Sequence, residues 1–160
     1  MNPPRIYISG PLQAAKDLAV ARSFYERLAR ICTEAGAEPY LPHKRTDPAL
    51  HDDAHPVQVF RRDCQAIKQC DLLIAHIGHP SSGVGAELGL AFSAKQPIIA
   101  IYRESERPSR FILGMLEDYE AATVISFGNE KALASSLDRA IAEQLNRAQR
   151  RAGSALRRIA

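Results

Sequence analysis

The chain has 160 residues, of which 46% are hydrophobic and 24% charged, and this length provides for one hydrophobic core rather than two. It contains no apolar run near the roughly 20 residues of a membrane-spanning helix, and no apolar stretch of a secretory signal follows residues 1–5. Its three cysteines form no C-x-x-C pair, which argues against a zinc site or a disulfide framework. We therefore expect a cytoplasmic protein with reduced thiols, no membrane association, no metal and no cofactor.

The net charge of +3 resides at one end of the chain. Residues 146–160 contain five arginines and no acid, and removing these five from the 21 basic residues leaves 16 against 18 acids. We predict a catalytic domain over residues 1–146 and a solvated basic tail over 147–160. Nucleic-acid binding by the tail is the disfavoured alternative, because no aromatic residue lies between its arginines to stack on bases. These arginines are Arg147, Arg150, Arg151, Arg157 and Arg158.

Short β-rich runs alternate with helical periodicity along the chain. Strands are indicated by branched and aromatic residues bounded by glycine or proline, and helices by apolar residues at three- and four-residue spacing. The third strand is the most apolar, which is typical of a strand covered on both faces. In chain order the predictions are a strand over 5–9, a helix over 18–35, a strand over 37–41, a helix over 57–69, a strand over 71–77, a helix over 86–95, a strand over 97–101, a helix over 109–116, a strand over 121–127 and a helix over 133–145.

This alternation predicts one α/β domain with a doubly wound, five-stranded parallel sheet and helices on both faces. Right-handed crossovers leave few topologies, among which the flavodoxin-like or Rossmann-like strand order 2-1-3-4-5 fits best. Ligands bind such sheets at the carboxyl ends of the strands. The loops over residues 9–11, 78–85 and 103–109 are therefore expected to form the functional site.

The segment Pro80-Ser81-Ser82-Gly83-Val84-Gly85 follows the third strand and precedes a predicted helix. Gly83 and Gly85 allow a ligand to approach backbone N–H groups at the start of that helix, which is a natural anion site. The hydroxyl groups of Ser81 and Ser82 can donate further hydrogen bonds. The segment is neither a Walker A loop nor a G-x-G-x-x-G turn, so it predicts an anion site of another kind.

Two acidic residues are candidates for chemistry at this edge of the sheet. Glu87 falls in the first turn of the predicted helix, where it either compensates the helix dipole or acts as a nucleophile on an anomeric carbon. Asp63 lies within the second helix and by position alone is a solvated surface acid, although its spacing from Phe60 sets it beside the apolar face. His76 and His79 span a strand end and a loop, which is not expected to give one metal-binding face.

Four segments together resemble the nucleoside 2-deoxyribosyltransferase superfamily, and within it most closely the nucleoside 5′-monophosphate N-glycosidases. The resemblance covers about residues 5–127, and its most specific part is the segment over 80–89. The matching segments are 6–11, Asp63 with 70–75, 80–89 and 109–114. Residues 12–17 and 43–55 depart from the family patterns and are expected to line the base and 2′ sites.

The resemblance implies a hydrolase that cleaves the N-glycosidic bond of (deoxy)nucleoside 5′-monophosphates into free base and (deoxy)ribose 5-phosphate. It implies that Glu87 is the catalytic glutamate at C1′ and that Asp63 contacts the base and helps to protonate it. Tyr7 would orient the glutamate and the sugar. The implied phosphate contacts are Ser9, Gly10, Ser81, Gly83, Gly85 and, from the neighbouring subunit, Ser109.

The partner's contribution to the phosphate site implies a homodimer with shared active sites. Transferases that act on free nucleosides tend to carry an acid at the position of Ser81, where it would repel a phosphate dianion, whereas a hydroxyl donates to it. A nucleoside 2-deoxyribosyltransferase that exchanges bases on free deoxynucleosides remains the enzymatic alternative. A nucleotide-binding module without turnover is a second one, and the identity of the base and of the sugar stays open.

Overall fold

The computed structural model describes residues 2–11, 17–42, 44 and 55–157, with the backbone alone at 149 and 151–157. Most of the loops over 12–17 and 43–55, which were expected to line the base and 2′ sites, lie outside the described residues. Strands and helices alternate throughout the rest. They are β1 (Arg5–Ser9), α1 (Leu18–Glu34), β2 (Glu38–Tyr40), α2 (Pro56–Gln69), β3 (Leu72–His76), α3 (Ser82–Ser93), β4 (Ile98–Arg103), α4 (Arg110–Asp118), β5 (Ala122–Phe127) and α5 (Glu130–Arg157).

The five strands form one parallel sheet in the order β2-β1-β3-β4-β5, which confirms the predicted topology. The apolar strand β3 lies in the centre and is buried along its whole length, as expected for a strand covered on both faces. Helices α1 and α5 pack on one face of the sheet, and α2, α3 and α4 pack on the other. Gly36 ends α1 at a φ of 80°, a left-handed conformation that glycine adopts without strain.

Helix α3 begins four residues earlier than predicted, at Ser82. Ser81 caps it, because its Oγ accepts a hydrogen bond from the backbone N–H of Val84 at 3.3 Å. The cap compensates for glycines that by sequence alone indicated a turn. Glu87 is consequently the sixth residue of the helix and lies beyond its first turn, so the interpretation as a first-turn acid that offsets the dipole is wrong.

Helix α5 continues to Arg157 and so includes most of the segment that was predicted to be a tail beyond the last helix. That expectation was wrong because it relied on apolar spacing, whereas alanine, arginine and glutamine favour a helix without it. The domain boundary at residue 146 stays a prediction. None of the helices in the described ranges is both long and apolar enough to span a membrane.

Candidate active site

The carboxylate of Glu87 is held by two hydroxyl groups at the end of β1. The Tyr7 hydroxyl donates to Oε1 at 2.7 Å, and the Ser9 hydroxyl donates to Oε2. Tyr7 and Ser9 are two residues apart on one strand, so both side chains point to the face that α3 covers. The structure thereby brings together two residues predicted to be catalytic. Ser9 was predicted to contact phosphate, but its single hydroxyl proton is donated to Glu87.

Burial and hydrogen bonding act in opposite directions on this carboxylate. Burial raises the pKa of Glu87 above its ordinary value, and the hydrogen bonds from Ser9 and Tyr7 partly oppose the increase. Burial, followed by the charge of Glu87, raises the pKa of Tyr7 far above that of a free phenol. Tyr7 therefore stays protonated at neutral pH and can act only as a donor to an ionised Glu87.

Asp63 lies on α2, is half-buried and is near enough to Glu87 to feel its charge, in contrast to its expected place at the solvated surface. Its Oδ1 is buried and has no hydrogen-bond partner within the described residues. Burial, and then the charge of Glu87, raises its pKa to about 6, against a smaller opposing effect of Arg62. Phe60, which was expected to mark the apolar side of α2, is 63% exposed, whereas Ala66 and Ile67 are buried.

The ring of Tyr40 forms part of the surroundings of Tyr7. The two tyrosines are partners in the parallel pairing of β1 and β2, and their rings stack with centroids 5.5 Å apart and an angle of 19° between planes. Tyr40 was not a predicted site residue. The available signal was that Tyr7 and Tyr40 each lie near the carboxyl end of their strand, and that the two strands are neighbours in the predicted sheet. Both side chains therefore reach the same edge.

The start of α3 presents the polar groups that were predicted to bind an anion. Ser81 accepts a hydrogen bond through Oγ, which leaves its own hydroxyl proton free to be donated. Gly83 lies in the first turn, where backbone N–H groups have no helical carbonyl partner. The N–H of Gly85, contrary to expectation, donates to the carbonyl of Ser81 at 3.0 Å. A side chain at Gly85 would meet nothing within 4 Å, so this glycine borders open space.

Two further predicted phosphate contacts lie in loops at the same edge. Gly10 follows β1 and packs so closely on Tyr25 that a Cβ at this position would overlap the tyrosine ring. Ser109 precedes α4, is exposed, and makes no side-chain hydrogen bond to the start of that helix. In the described residues, neither hydrogen bond of Glu87 comes from Ser109.

A second polar cluster, formed by Tyr25, His76, His79 and Glu106, occupies the opposite face of this edge and was missed by the sequence analysis. His76 and His79 were not expected to converge, yet their rings are 6.0 Å apart and both Nε2 atoms contact Glu106, at 3.0 and 3.2 Å. Among the described residues, no group of three or more histidine, cysteine or acidic side chains is arranged to hold a metal ion.

Comparison with known proteins places the chain in a family. The chain matches the nucleoside 2-deoxyribosyltransferase family over residues 6–147. It is 29% identical over 114 residues, 69% of each chain, to a Methanosarcina barkeri protein named 2′-deoxynucleoside 5′-phosphate N-hydrolase 1. It is 30% identical over 105 residues, 63% of this chain and 58% of the other, to 5-hydroxymethyl-dUMP N-hydrolase of Mus musculus.

Among solved structures, the chain resembles the CMP N-glycosidase of Clostridium botulinum with a TM-score of 0.65 and 27% identity, over 84% of this chain and 97% of the other. The chain therefore belongs to the nucleoside 2-deoxyribosyltransferase family, as its motifs indicated.

Proposed function

We propose that this chain hydrolyses the N-glycosidic bond of (deoxy)nucleoside 5′-monophosphates, releasing free base and (deoxy)ribose 5-phosphate. One observation carries the proposal. The Glu87 carboxylate is fixed by Tyr7 and Ser9 at the carboxyl edge of the sheet, beside Asp63 and on the helix that Ser81 caps. The names of the relatives, which are N-hydrolases and an N-glycosidase of nucleotides, support this reaction class.

In the proposed first step, an oxygen of Glu87 attacks C1′ as the bond to the base breaks through an oxocarbenium-like state. The bonding electron pair leaves with the base, which takes a proton from Asp63. In the second step water attacks C1′, passes a proton to Asp63, and releases the sugar phosphate and the Glu87 carboxylate. The hydroxyls of Tyr7 and Ser9 hold Glu87 in its ionised form before attack.

The pKa values of the two acids support these separate roles. The negative charge of Glu87 is one cause of the raised pKa of Asp63, about 6, so Asp63 retains a proton more readily while Glu87 is ionised. Two carboxyl groups whose environments separate their protonation states provide one nucleophile and one acid. The buried Oδ1 of Asp63 has no hydrogen-bond partner in the described part of the chain, which is consistent with a bond made to the base once substrate is bound.

The 5′-phosphate is assigned to the start of α3. The Ser81 hydroxyl and the N–H groups of Ser82 and Gly83 supply donors there, and the helix dipole favours an anion. Gly10 allows the loop after β1 to approach the same group. Binding the phosphate at this point would orient C1′ towards Glu87, so that remote binding energy contributes to catalysis.

A substrate panel tests the proposal directly. The protein is incubated with deoxynucleoside and ribonucleoside monophosphates and with free nucleosides, with and without a second base, and the bases are separated by chromatography. Release of base from monophosphates is the expected result. Base exchange on free nucleosides would instead identify the transferase alternative, and binding of monophosphates without release would identify a nucleotide-binding module.

Replacing Ser81 with aspartate is expected to lower kcat/KM for monophosphates roughly 100-fold, because the new carboxylate repels the phosphate dianion. Aspartate is as good a helix cap as serine, so α3 should persist and the melting temperature should change little. Steady-state kinetics on a monophosphate and on its free nucleoside give the comparison. Ser135→Asp, on the exposed side of α5, is the matched control. An equal loss of kcat/KM on both substrates would show that Ser81 does not bind the phosphate.

We also propose that two chains form a homodimer in which each supplies Ser109 to the other's site. Ser109 is exposed and is not among the hydrogen-bond donors to Glu87 in the described residues, and Phe111, two residues further along, is 80% exposed. In the proposed dimer, Phe111 would add apolar area to the contact that brings Ser109 to the other chain. A cytoplasmic location is part of the same proposal, supported by the free thiols of Cys32, Cys64 and Cys70.

Shared sites predict complementation between two inactive variants. When Glu87→Gln and Ser109→Asp chains are coexpressed, about half of the dimers are mixed and carry one intact site, so about a quarter of wild-type activity should return. Coexpression of Glu87→Gln with Ser81→Asp should restore nothing, because each mixed dimer then has a defect in both sites. Activity assays of the purified, unseparated dimers measure the difference. Recovery in neither pair would place Ser109 outside the partner's site.

A further inference from the structure

A buried hydrogen-bonded chain crosses the carboxyl edge of the sheet on the face opposite Glu87. Its centre is His76, the last residue of β3, which is 7% exposed. Its Nδ1 lies 3.2 Å from the hydroxyl of Tyr25 on α1, and its Nε2 lies 3.0 Å from Oε2 of Glu106 in the loop after β4. Three elements that are far apart in sequence are thus joined at the place where the site loops leave the sheet.

The directions of these hydrogen bonds follow from the acceptor at one end. The Glu106 carboxylate accepts from the backbone N–H of Arg103 at 2.7 Å. Burial raises its pKa, but that bond together with His76 and His79 outweighs burial and lowers the pKa below its ordinary value, so Glu106 stays ionised. A carboxylate is only an acceptor, so Nε2 of His76 must carry a proton. Burial lowers the pKa of His76 and keeps the ring neutral, which leaves Nδ1 to accept the proton of Tyr25.

Both ends of this chain are in close contact with a glycine in a site loop. The Tyr25 ring packs on Gly10, and the Glu106 carboxylate packs on Gly78, so closely that a Cβ at either glycine would overlap the contacting side chain. Glu106 also binds His79, the next residue of the second loop, at 3.2 Å. The loop after β1 and the loop that leads to Ser81 are therefore positioned by the same hydrogen-bonded chain.

The residues around Tyr25, His76 and Glu106 show that packing alone does not require polar side chains at these positions. The core on this face is otherwise apolar and is formed by residues such as Ile74, Ile101 and Phe127. Apolar side chains of similar volume commonly stabilise a core at least as well as a buried charged group, whereas directional hydrogen bonds fix one geometry. Directional side-chain hydrogen bonds occur at the end of β3 and nowhere else along that strand. They therefore act on the loops that begin at this end.

We propose that Tyr25, His76 and Glu106 are positioning residues that hold the two site loops at the spacing needed to bind the substrate's 5′-phosphate. This inference rests on the function proposed above. None of the three touches the reacting atoms in this arrangement, because the sheet separates them from Glu87. Their loss should weaken ground-state binding of the phosphate and leave the chemistry of a bound substrate largely intact.

Glu106→Gln and Tyr25→Phe test the chain at its two ends while conserving side-chain volume. Each is expected to raise KM for a monophosphate about tenfold with less than about a twofold change in kcat. Each should also accelerate amide hydrogen exchange in residues 78–82 and raise the Kd of ribose 5-phosphate measured by NMR titration. Glu104→Gln, an exposed neighbour in the same loop, is the matched control and should leave all three values unchanged.

Gly78→Ala provides an independent variant, because it substitutes none of the three hydrogen-bonding residues. Its methyl group would displace the Glu106 carboxylate, so the variant should reproduce the KM and exchange changes of Glu106→Gln. A lower melting temperature with unchanged loop exchange, unchanged Kd and unchanged KM in all three variants would overturn the proposal and leave a purely structural cluster.

The exchange and titration measurements require no turnover, so they separate this inference from the proposed reaction. If wild-type protein fails to hydrolyse monophosphates, the reaction is wrong. Faster loop exchange and weaker binding of ribose 5-phosphate in the variants would then still support the positioning role, and unchanged values would overturn it as well.

Discussion

Replacing Glu87 with glutamine should lower kcat on a deoxynucleoside monophosphate by about three orders of magnitude or more. The amide has nearly the same shape, but it is a poor nucleophile and gives no negative charge to stabilise an oxocarbenium-like state. One of the two hydroxyls of Tyr7 and Ser9 can still donate to the amide oxygen, and the other can accept from the amide NH2, so the fold should persist. Single-turnover assays with base separation, together with melting curves, measure the two effects independently.

The matched control for this variant is Glu143→Gln, which makes the same chemical change on the exposed surface of α5. It should leave kcat unchanged. The Glu87→Gln protein should still bind the monophosphate, since the phosphate contacts at the start of α3 are intact. Hydrolysis by this variant at more than about a tenth of the wild-type rate would exclude Glu87 as the nucleophile, whatever the stability of the protein.

Replacing Asp63 with asparagine is expected to lower kcat about 100-fold and to change its pH dependence. A general acid must be protonated, and the pKa of Asp63 is raised to about 6 by burial and by the charge of Glu87. The protonated fraction is therefore about a tenth at pH 7 and about a hundredth at pH 8. Wild-type activity should fall as pH rises above 6, and it should also fall at lower pH as Glu87 takes up a proton.

The substrate complicates this profile, because the second pKa of a phosphate monoester is also about 6. Comparison with the variant resolves the two effects, since phosphate titration persists when Asp63 is absent. The decline above pH 6 should be about tenfold per pH unit in wild type and distinctly shallower in Asp63→Asn. Asp138→Asn on α5 is the control for removal of a surface acid. Parallel profiles in wild type and Asp63→Asn would contradict the assignment of Asp63 as the acid.

The arrangement of the sheet could be predicted because it depends on features that are local in sequence. Five β-rich runs separated by helical segments leave few parallel topologies, and handedness determines on which face each helix packs. The start of α3 could not be located in this way. Gly83 and Gly85 indicate a turn by propensity, and only the hydrogen bond from Val84 to Ser81 shows that the helix tolerates them.

The sequence predicted less well the surroundings of residues that tertiary packing brings together. Asp63 resembles a surface acid in its own helix, and its burial results from the packing of α2 beside β1. The contacts of His76 with Tyr25 and Glu106 join residues 51 and 30 positions apart, and no local pattern marks them. Glu87, by contrast, could be proposed as a site residue because its motif, its helix and the glycine-containing turn before it are contiguous in the chain.

Ser81 and Glu87 are carried by one uninterrupted helix, and this has a consequence for which phosphate esters can react. Six residues at 1.5 Å of rise separate the two positions by about 9 Å along the axis. The helix therefore fixes the distance between the proposed phosphate site at Ser81 and the reactive carboxylate of Glu87. A nucleotide phosphorylated on its 3′ oxygen would set its anomeric carbon at a different distance from the anchor and out of reach of the carboxylate.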